Sequence, residues 1–487
     1  MLHIEELTIG KFHDALINGE TTCASVCSMY LDRINKIDKS IHSIIHISDG
    51  VLSSARDKDQ EFATTKGQCI KSQPLFGVPV ILKDTYLTHD LPTTNGSQSF
   101  VGLKSGDANV VKRLREAGAL ILAKANCHEF CLQGCTFSSL GGQTLNPYDL
   151  SRTPGGSSGG TGASIAANLG LVGCGGDTMN SIRSPASACN LVGFRPTTGL
   201  IDVDGIFPVA PTQDTAGPLA KSVEDARKLF RVMRTSDAAS DRNVSVAEHK
   251  RTDRKLRIGI LKGYFPTPTT SSENPVQAVM DGAVQKLKAI ADFVAIPSEY
   301  DTLFEYSTLL MDYDVQAFEL KSSLDTFLNS QYIHHTPYKS LESINDGGQY
   351  DKRALSSVWH NTLKPEFNMQ CPEYTNRLAK INHLQDKLAE LLHDMKLDAI
   401  CYPHQKRLVM EVGTTEQKDR NGLLTALTGF PSLCIPAGFS PPTESAPKGV
   451  PVGMELVGAR FNDDYLLDIG QRFEAVLGAR SPPILRN

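Results

Sequence analysis

The sequence predicts an α/β protein in which a twisted, mixed β-sheet is surrounded by helices. Short apolar runs of strand length alternate along the chain with segments whose apolar residues recur at helical spacing. Runs such as "ALILAKAN" and "LGLVGCGG" are apolar almost throughout, as buried strands are. After a helix-rich middle the chain returns to strands, "FPSLCIPAG" and "VPVGMELVG", separated by the long hairpin-like loop "FSPPTESAPKG".

Each element has its own signal. In "TTCASVCSMYLDRINKID" the residues Val26, Met29, Tyr30, Ile34 and Ile37 recur at helical spacing. "FGVPVILK" (Phe76–Lys83) reads as a strand, and Pro79 within it points to a sheet edge or an irregular end. "DANVVKRLREAGA" reads as a helix with Asp107 as its N-cap, and "ALILAKAN" as the buried strand after it. Ser164–Asn168 then reads as helix, Leu171–Gly175 as strand, Val223–Met233 as helix and Leu256–Leu261 as strand. The polar stretch from Thr235 to Lys255 reads as a surface connection. Residues 270–395 carry mostly helical patterns, with a loop-like "INDGGQYDKR". "LDAICYP" adds a strand, and a last helix runs from about Asp463 to Leu477. There is no internal repeat. One domain over 1–487 is expected, with a core at about 70–235, a variable region at about 240–390 and the last part of the sheet at 396–487.

Composition excludes several classes. A net charge of −5 over 487 residues, without a long basic run, argues against nucleic acid and anionic membrane as partners. The opening "MLHIEELTIGKFHDALINGE" is acidic and lacks the apolar run of about 7–15 residues that a signal peptide needs. No stretch approaches a membrane span. Eleven scattered cysteines read as free thiols in a reducing compartment, so a cytoplasmic protein is expected.

Two stretches carry chemistry. "TPGGSSGGTGASIAANLG", from Thr153 to Gly170, sets Ser157 and Ser158 between pairs of glycines. A phosphate cradle is excluded, because the G-x-x-x-x-G-K-[ST] spacing is absent. A linker is opposed by the small, apolar helix pattern that follows at once. Glycines also allow unusual backbone angles and close approach of another segment, which suits a catalytic turn. The second stretch is "LGLVGCGGDTMNSIRSPAS", where an apolar strand runs into a turn bearing Ser181. A serine so placed presents its hydroxyl to a cleft beside backbone N–H groups able to hold an oxyanion. Lys83 closes another apolar strand, and a desolvated lysine can serve as the base that a serine nucleophile needs. Alone, Lys83 reads as an exposed strand-end lysine and Ser181 as a helix cap; together they point to nucleophilic catalysis. No G-x-S-x-G elbow is present, which disfavours an α/β-hydrolase triad.

"GVPVILKD", "TPGGSSGG" and "GGDTMNSIRSPAS", in that order and at these intervals, resemble the core of the amidase signature family, and the replacements in the last stretch resemble fungal-type members. The resemblance extends through "LVGFRPTTGLIDVDGIFPVAPTQDTAGPLAKSVEDA" and resumes at "LDAICYPH", "TGFPSLCIPAGF" and "GVPVGMELVGARFNDDYLL". It covers most of the chain except about 240–390. It implies the amidase signature fold and a Ser–cis-Ser–Lys triad. Ser181 then matches the acylating nucleophile, Ser157 the bridging serine behind a cis peptide bond, and Lys83 the base. The oxyanion donors fall on the main chain of Thr178, Met179, Asn180 and Ser181, and Cys131 at a position lining the substrate site. The family usually has Gly-Gly where this chain has Met179-Asn180, so two side chains are expected near the acyl site.

Other residues have plainer readings. Asp177 and Arg183 read as structural. "CHEFCLQGC" spaces Cys127, Cys131 and Cys135 four apart beside His128, which on a helix would share a face; no metal is expected there, because the C-x-x-C spacing of zinc sites is missing. His334 and His335 read as solvated and His404 as structural. The expected activity is hydrolysis of a small-molecule carboxamide, a linear carbon–nitrogen bond other than a peptide bond, to an acid and ammonia or an amine. It needs no cofactor, and a homodimer is compatible with it. Two alternatives stand beside it: the glutaminase-type subunit of a tRNA-dependent amidotransferase, and a catalytically silent binding protein of the same fold. The substrate pocket is expected from the region near 300–370.

Overall fold

A computed structural model of the protein describes residues 2–235, 254–266 and 274–485. Eleven strands form one sheet: β1 (Ile44–Ile47), β2 (Pro79–Lys83), β3 (Leu120–Ala125), β4 (Val172–Asp177), β5 (Val192–Arg195), β6 (Thr215–Ala220), β7 (Leu256–Ile260), β8 (Ala291–Ala295), β9 (Ala399–Pro403), β10 (Ser432–Phe439) and β11 (Pro451–Val457). Their order across the sheet is β1-β3-β2-β4-β6-β5-β10-β11-β9-β7-β8. Pairing is parallel where helices connect the strands, as in β3-β2-β4, and antiparallel where the chain doubles back, as in β10-β11. The fold is therefore the mixed, helix-covered sheet that the sequence predicts.

Local signals set the helices. Val223–Met233 begins where the Ser222 hydroxyl accepts from the Asp225 N–H, and it turns Val223, Ala226, Leu229, Phe230 and Met233 inward. The closing helix Asp463–Leu477 likewise has the expected bounds. Among the described residues, no helix is long and apolar enough to cross a membrane.

Several expectations need correction. β2 is not an edge strand: it is hydrogen-bonded to β3 on one side and β4 on the other, and Pro79 is its first residue, where a missing N–H is tolerated. Asp107 does not cap its helix. The cap position is Ala108, and Asp107 instead accepts from the His89 N–H at 2.9 Å and from Arg115 Nε at 3.0 Å. The loop-like "INDGGQYDKR" is helical through Gly347. The helix expected from Ser164 starts earlier, at Gly159, so the second glycine pair lies inside it. Cys127, Cys131 and Cys135 share no helical face, because Phe130 (φ 54°) and Cys131 (φ 62°) break the run after one 3₁₀ turn. The connection expected between Thr235 and Lys255 lies mostly outside the described residues.

Candidate active site

Lys83 and the Ser181 turn emerge from the same ends of neighbouring parallel strands. Lys83 ends β2, and Thr178–Ile182 leads from the end of β4 into the helix Arg183–Ala188. The glycine-rich run lies across them. Its Gly156–Ser157 peptide bond is cis, and Lys83 Nζ lies 2.7 Å from Ser157 Oγ. The Ser158 N–H donates to the Ser181 carbonyl at 3.2 Å, while Ser158 Oγ accepts from the Gly176 N–H at 3.2 Å. The first serine of the pair thus meets the lysine, and the second stitches the run to the Ser181 turn. Close approach explains one of the glycines: a Cβ on Gly160 would collide with the Asn126 carbonyl. Lys83 and Ser157 are buried and Ser181 is 7% exposed, so access to them is through cavities.

Two cavities flank the turn. One, of about 480 Å³, is walled by Lys83, Cys131 and Thr178 together with Ile206, Phe207 and Phe327. The other, of about 650 Å³, is walled by Met179 with Tyr306, Phe318, Arg377, Gln417 and Arg420. The region 300–370 supplies part of both, as expected; residues 203–215 add to the smaller and 406–420 to the larger. Consecutive residues of the turn therefore face different spaces. Of the two side chains expected near the acyl site, Met179 lines the larger of these two cavities and Asn180 lines neither. Asn180 is buried, with Nδ2 at 3.3 Å from Gln417 Oε1. Among the described residues, the backbone N–H groups of 178–181 donate to no protein acceptor.

A buried ionic network fixes the turn from behind. Asp177 receives Arg183 through Nε and Nη2, both at 3.1 Å, Arg195 Nη1 at 3.0 Å and the Ile182 N–H at 3.1 Å. Arg183 continues to the Met179 carbonyl (2.6 Å), the Gly422 carbonyl (2.9 Å), Thr425 Oγ1 (2.7 Å) and Glu455. Glu455 is also held by His404 Nδ1 and Ser432 Oγ, both at 2.7 Å. Burial pushes both carboxyls up, but the arginine charges win. They hold Asp177 far below the usual carboxylate range and, with the His404 hydrogen bond, bring Glu455 to about 2. Asp177, Arg183 and His404 are thus placed as structural residues, as read from the sequence. Arg195, Glu455 and Gln417 are not singled out by the sequence, and Ser158 only as the neighbour of Ser157. A lone glutamate inside the apolar "VPVGMELVG" is the signal that Glu455 offers; Gln417, in a polar loop, offers none.

The surroundings of Lys83 are tuned as well. The half-buried Cys131 thiol is drawn down to about 6 by the hydrogen bond from Cys127 and the Lys83 charge, against the upward push of burial. His128 is pushed down to about 4 by burial and by Lys83, against its ring's bond to the Ala354 carbonyl; its backbone N–H donates to the Ser157 carbonyl at 3.0 Å. On the other side, Thr178 Oγ1 donates to Asp214 at 2.5 Å, and burial raises Asp214 to about 7 despite this bond. The expected solvation of His334 and His335 agrees with their exposure.

The profile of the family described as Amidase matches residues 25–467, and so spans the region 240–390 where short motifs carry no resemblance. The chain is 30% identical to a glutamyl-tRNA(Gln) amidotransferase subunit of Lawsonia intracellularis, over 98% of this chain and 99% of that one. Among solved structures it is similar to the peptide amidase of Stenotrophomonas maltophilia (25% identity, TM-score 0.82, 99% of both chains). It is also similar to an amidase family protein of Bacillus anthracis (25% identity, TM-score 0.81, 99% of this chain and 93% of that one). With its helix-covered sheet, its Lys83–Ser157 contact and a profile match over nearly its whole length, the chain belongs to the amidase signature family.

Proposed function

We propose that the protein hydrolyses a small carboxamide through an acyl-enzyme on Ser181. The observation that carries this is the 2.7 Å contact of Lys83 Nζ with Ser157 Oγ behind a cis peptide bond, on a segment bonded to the Ser181 carbonyl. Ser181 Oγ attacks the amide carbon. Its proton passes to Ser157, whose own proton passes to Lys83 Nζ. The negative oxygen that forms is held by the N–H groups of the 178–181 turn. When the C–N bond breaks, the proton returns through Ser157 to the leaving amine, and water then releases the acid by the reverse path. Thr178 and Cys131 face the leaving or acyl group from the smaller cavity, and Met179 from the larger.

The test is labelling of the purified protein with a fluorophosphonate, located by peptide mass spectrometry, beside turnover of a panel of small amides. The label is expected on Ser181, and Ser181→Ala is expected to abolish both. Retained turnover in that variant would falsify the assignment. A second reading, as the amide-cleaving member of a multi-chain amidotransferase, is favoured by the full-length similarity to the Lawsonia intracellularis amidotransferase chain. Turnover of simple amides by the chain alone speaks for the first reading; turnover only with partner chains speaks for the second.

A further inference from the structure

We infer that Gln417 is a positioning residue for the reaction, holding the Ser181 and Ser157 segments in register from a loop that also walls the larger cavity. The inference rests on the seryl mechanism proposed above. Gln417 lies far along the chain from both serines, on the connection between β9 and the helix Leu423–Thr428, and its side chain is buried. Its Oε1 accepts from Asn180 Nδ2 at 3.3 Å, next to Ser181. Its Nε2 donates to Ser184 Oγ at 2.5 Å and to Gln405 Oε1 at 3.2 Å. Ser184 Oγ in turn accepts from the Gly156 N–H at 3.4 Å, on the amino side of the cis bond to Ser157. One carboxamide therefore holds the residue before Ser181 and, through one hydroxyl, the residue before Ser157.

This link differs from the Arg183 network. The partners of Arg183 near the serines are Asp177 and the Met179 carbonyl, all on the Ser181 segment. Gln417 adds a connection that includes the Ser157 segment. The side chain has to offer an acceptor to Asn180 and a donor to Ser184 at once, as an amide does. The same loop carries Arg420, whose Nη2 is 3.8 Å from Met179 Sδ, and both line the larger cavity. A group bound in that cavity thus rests on the loop that sets the turn.

The test compares Gln417→Met, which keeps the shape and loses all three bonds, with Ser184→Ala, which removes the same link from its other end. Each is made with and without Asn180→Gly. For each, kcat and KM on a small amide are measured beside the rate of fluorophosphonate labelling of Ser181. Labelling of the unaltered protein at Ser181 tests the parent mechanism by itself, so the two failures are distinguishable. Gln417→Met is expected to lower kcat and the labelling rate together by about 10²-fold, the scale of a misplacement near 1 Å, with KM nearly unchanged. In the Asn180→Gly background its effect should shrink by several-fold, because the two residues act through one bond. If Gln417→Met alters KM alone, or leaves labelling unchanged, the side chain only walls the cavity and the inference fails. Full additivity with Asn180→Gly overturns it equally. Should Gln417→Met not fold, Ser184→Ala carries the same comparison with a smaller change.

Discussion

Replacing Arg183 should loosen the Ser181 turn. Arg183 makes six hydrogen bonds, to Asp177 twice, Glu455, Thr425, and the carbonyls of Met179 and Gly422. Breaking a buried ion pair by removing one partner costs about 3–5 kcal/mol. Here the lower end applies, because Asp177 keeps Arg195 and Glu455 keeps His404. At roughly 2.1 cal/mol/K per residue, a chain of 487 residues unfolds with about 1 kcal/mol/K of entropy, so Arg183→Met should lower Tm by about 3 °C. Catalysis should suffer more than stability. With the Met179 carbonyl released, the N–H groups of the turn lose their fixed aim, at a cost of about 10²-fold in kcat. Arg183→Lys separates the two effects, since lysine keeps the charge but cannot reach six acceptors with one nitrogen. It should recover part of the Tm loss and none of the rate. Calorimetry and fluorophosphonate labelling of Ser181 read the two quantities. An Arg183→Lys protein labelled at the unaltered rate would refute the reasoning.

Three further outcomes follow from the site. Lys83→Ala and Ser157→Ala should each lose nearly all turnover, and the double variant little more than the worse single, because the groups act as one relay; additive losses in steady-state kinetics would count against a relay. Asp214, raised by burial from 3.8 to about 7, keeps its proton in the folded protein after the unfolded chain has released it. Stability should therefore fall as pH rises from about 4 to about 7 and level off above, and Asp214→Asn should flatten that slope in urea titrations at stepped pH. Met179→Gly should change the ratio of kcat/KM between bulky and small amides, since Met179 lines the larger cavity; an equal drop across the panel would assign Met179 to the backbone geometry instead.

What the sequence conveys is set by range. The helix Val223–Met233 is legible because its cap and its apolar stripe lie within its own residues. The same holds for β3, β4 and the β10-β11 hairpin, whose signals are local runs and turns. The central place of β2 is not legible, because Pro79 carries the same local signal at an edge and at the start of an inner strand. Lys83, Ser157 and Ser181 stand out through motifs, but their support does not. Arg183 and Glu455 are 272 positions apart, and Gln417 and Asn180 are 237 apart. Nothing in a polar loop announces that its glutamine turns inward. Cys127, Cys131 and Cys135 mislead for the opposite reason: their spacing suits a helix that the left-handed Phe130 and Cys131 do not allow.

The pair Met179-Asn180, where the family usually has Gly-Gly, is accommodated by a glycine on the facing segment. A Cβ on Gly422 would lie 2.5 Å from Asn180 Cβ and 3.1 Å from the Met179 carbonyl oxygen. Gly422 itself has φ −76°, which any residue adopts, so contact and not conformation requires glycine there. Gly422→Ala alone should therefore destabilise the protein by about 1–3 kcal/mol, the usual cost of overpacking. That is about 1–3 °C in Tm for a chain of this length. Asn180→Gly should remove most of that cost when the two are combined, because it deletes the atom that the new methyl meets. Additive Tm changes in the double variant would mean that the collision is relieved elsewhere, and that Gly422 is not what makes room for Asn180.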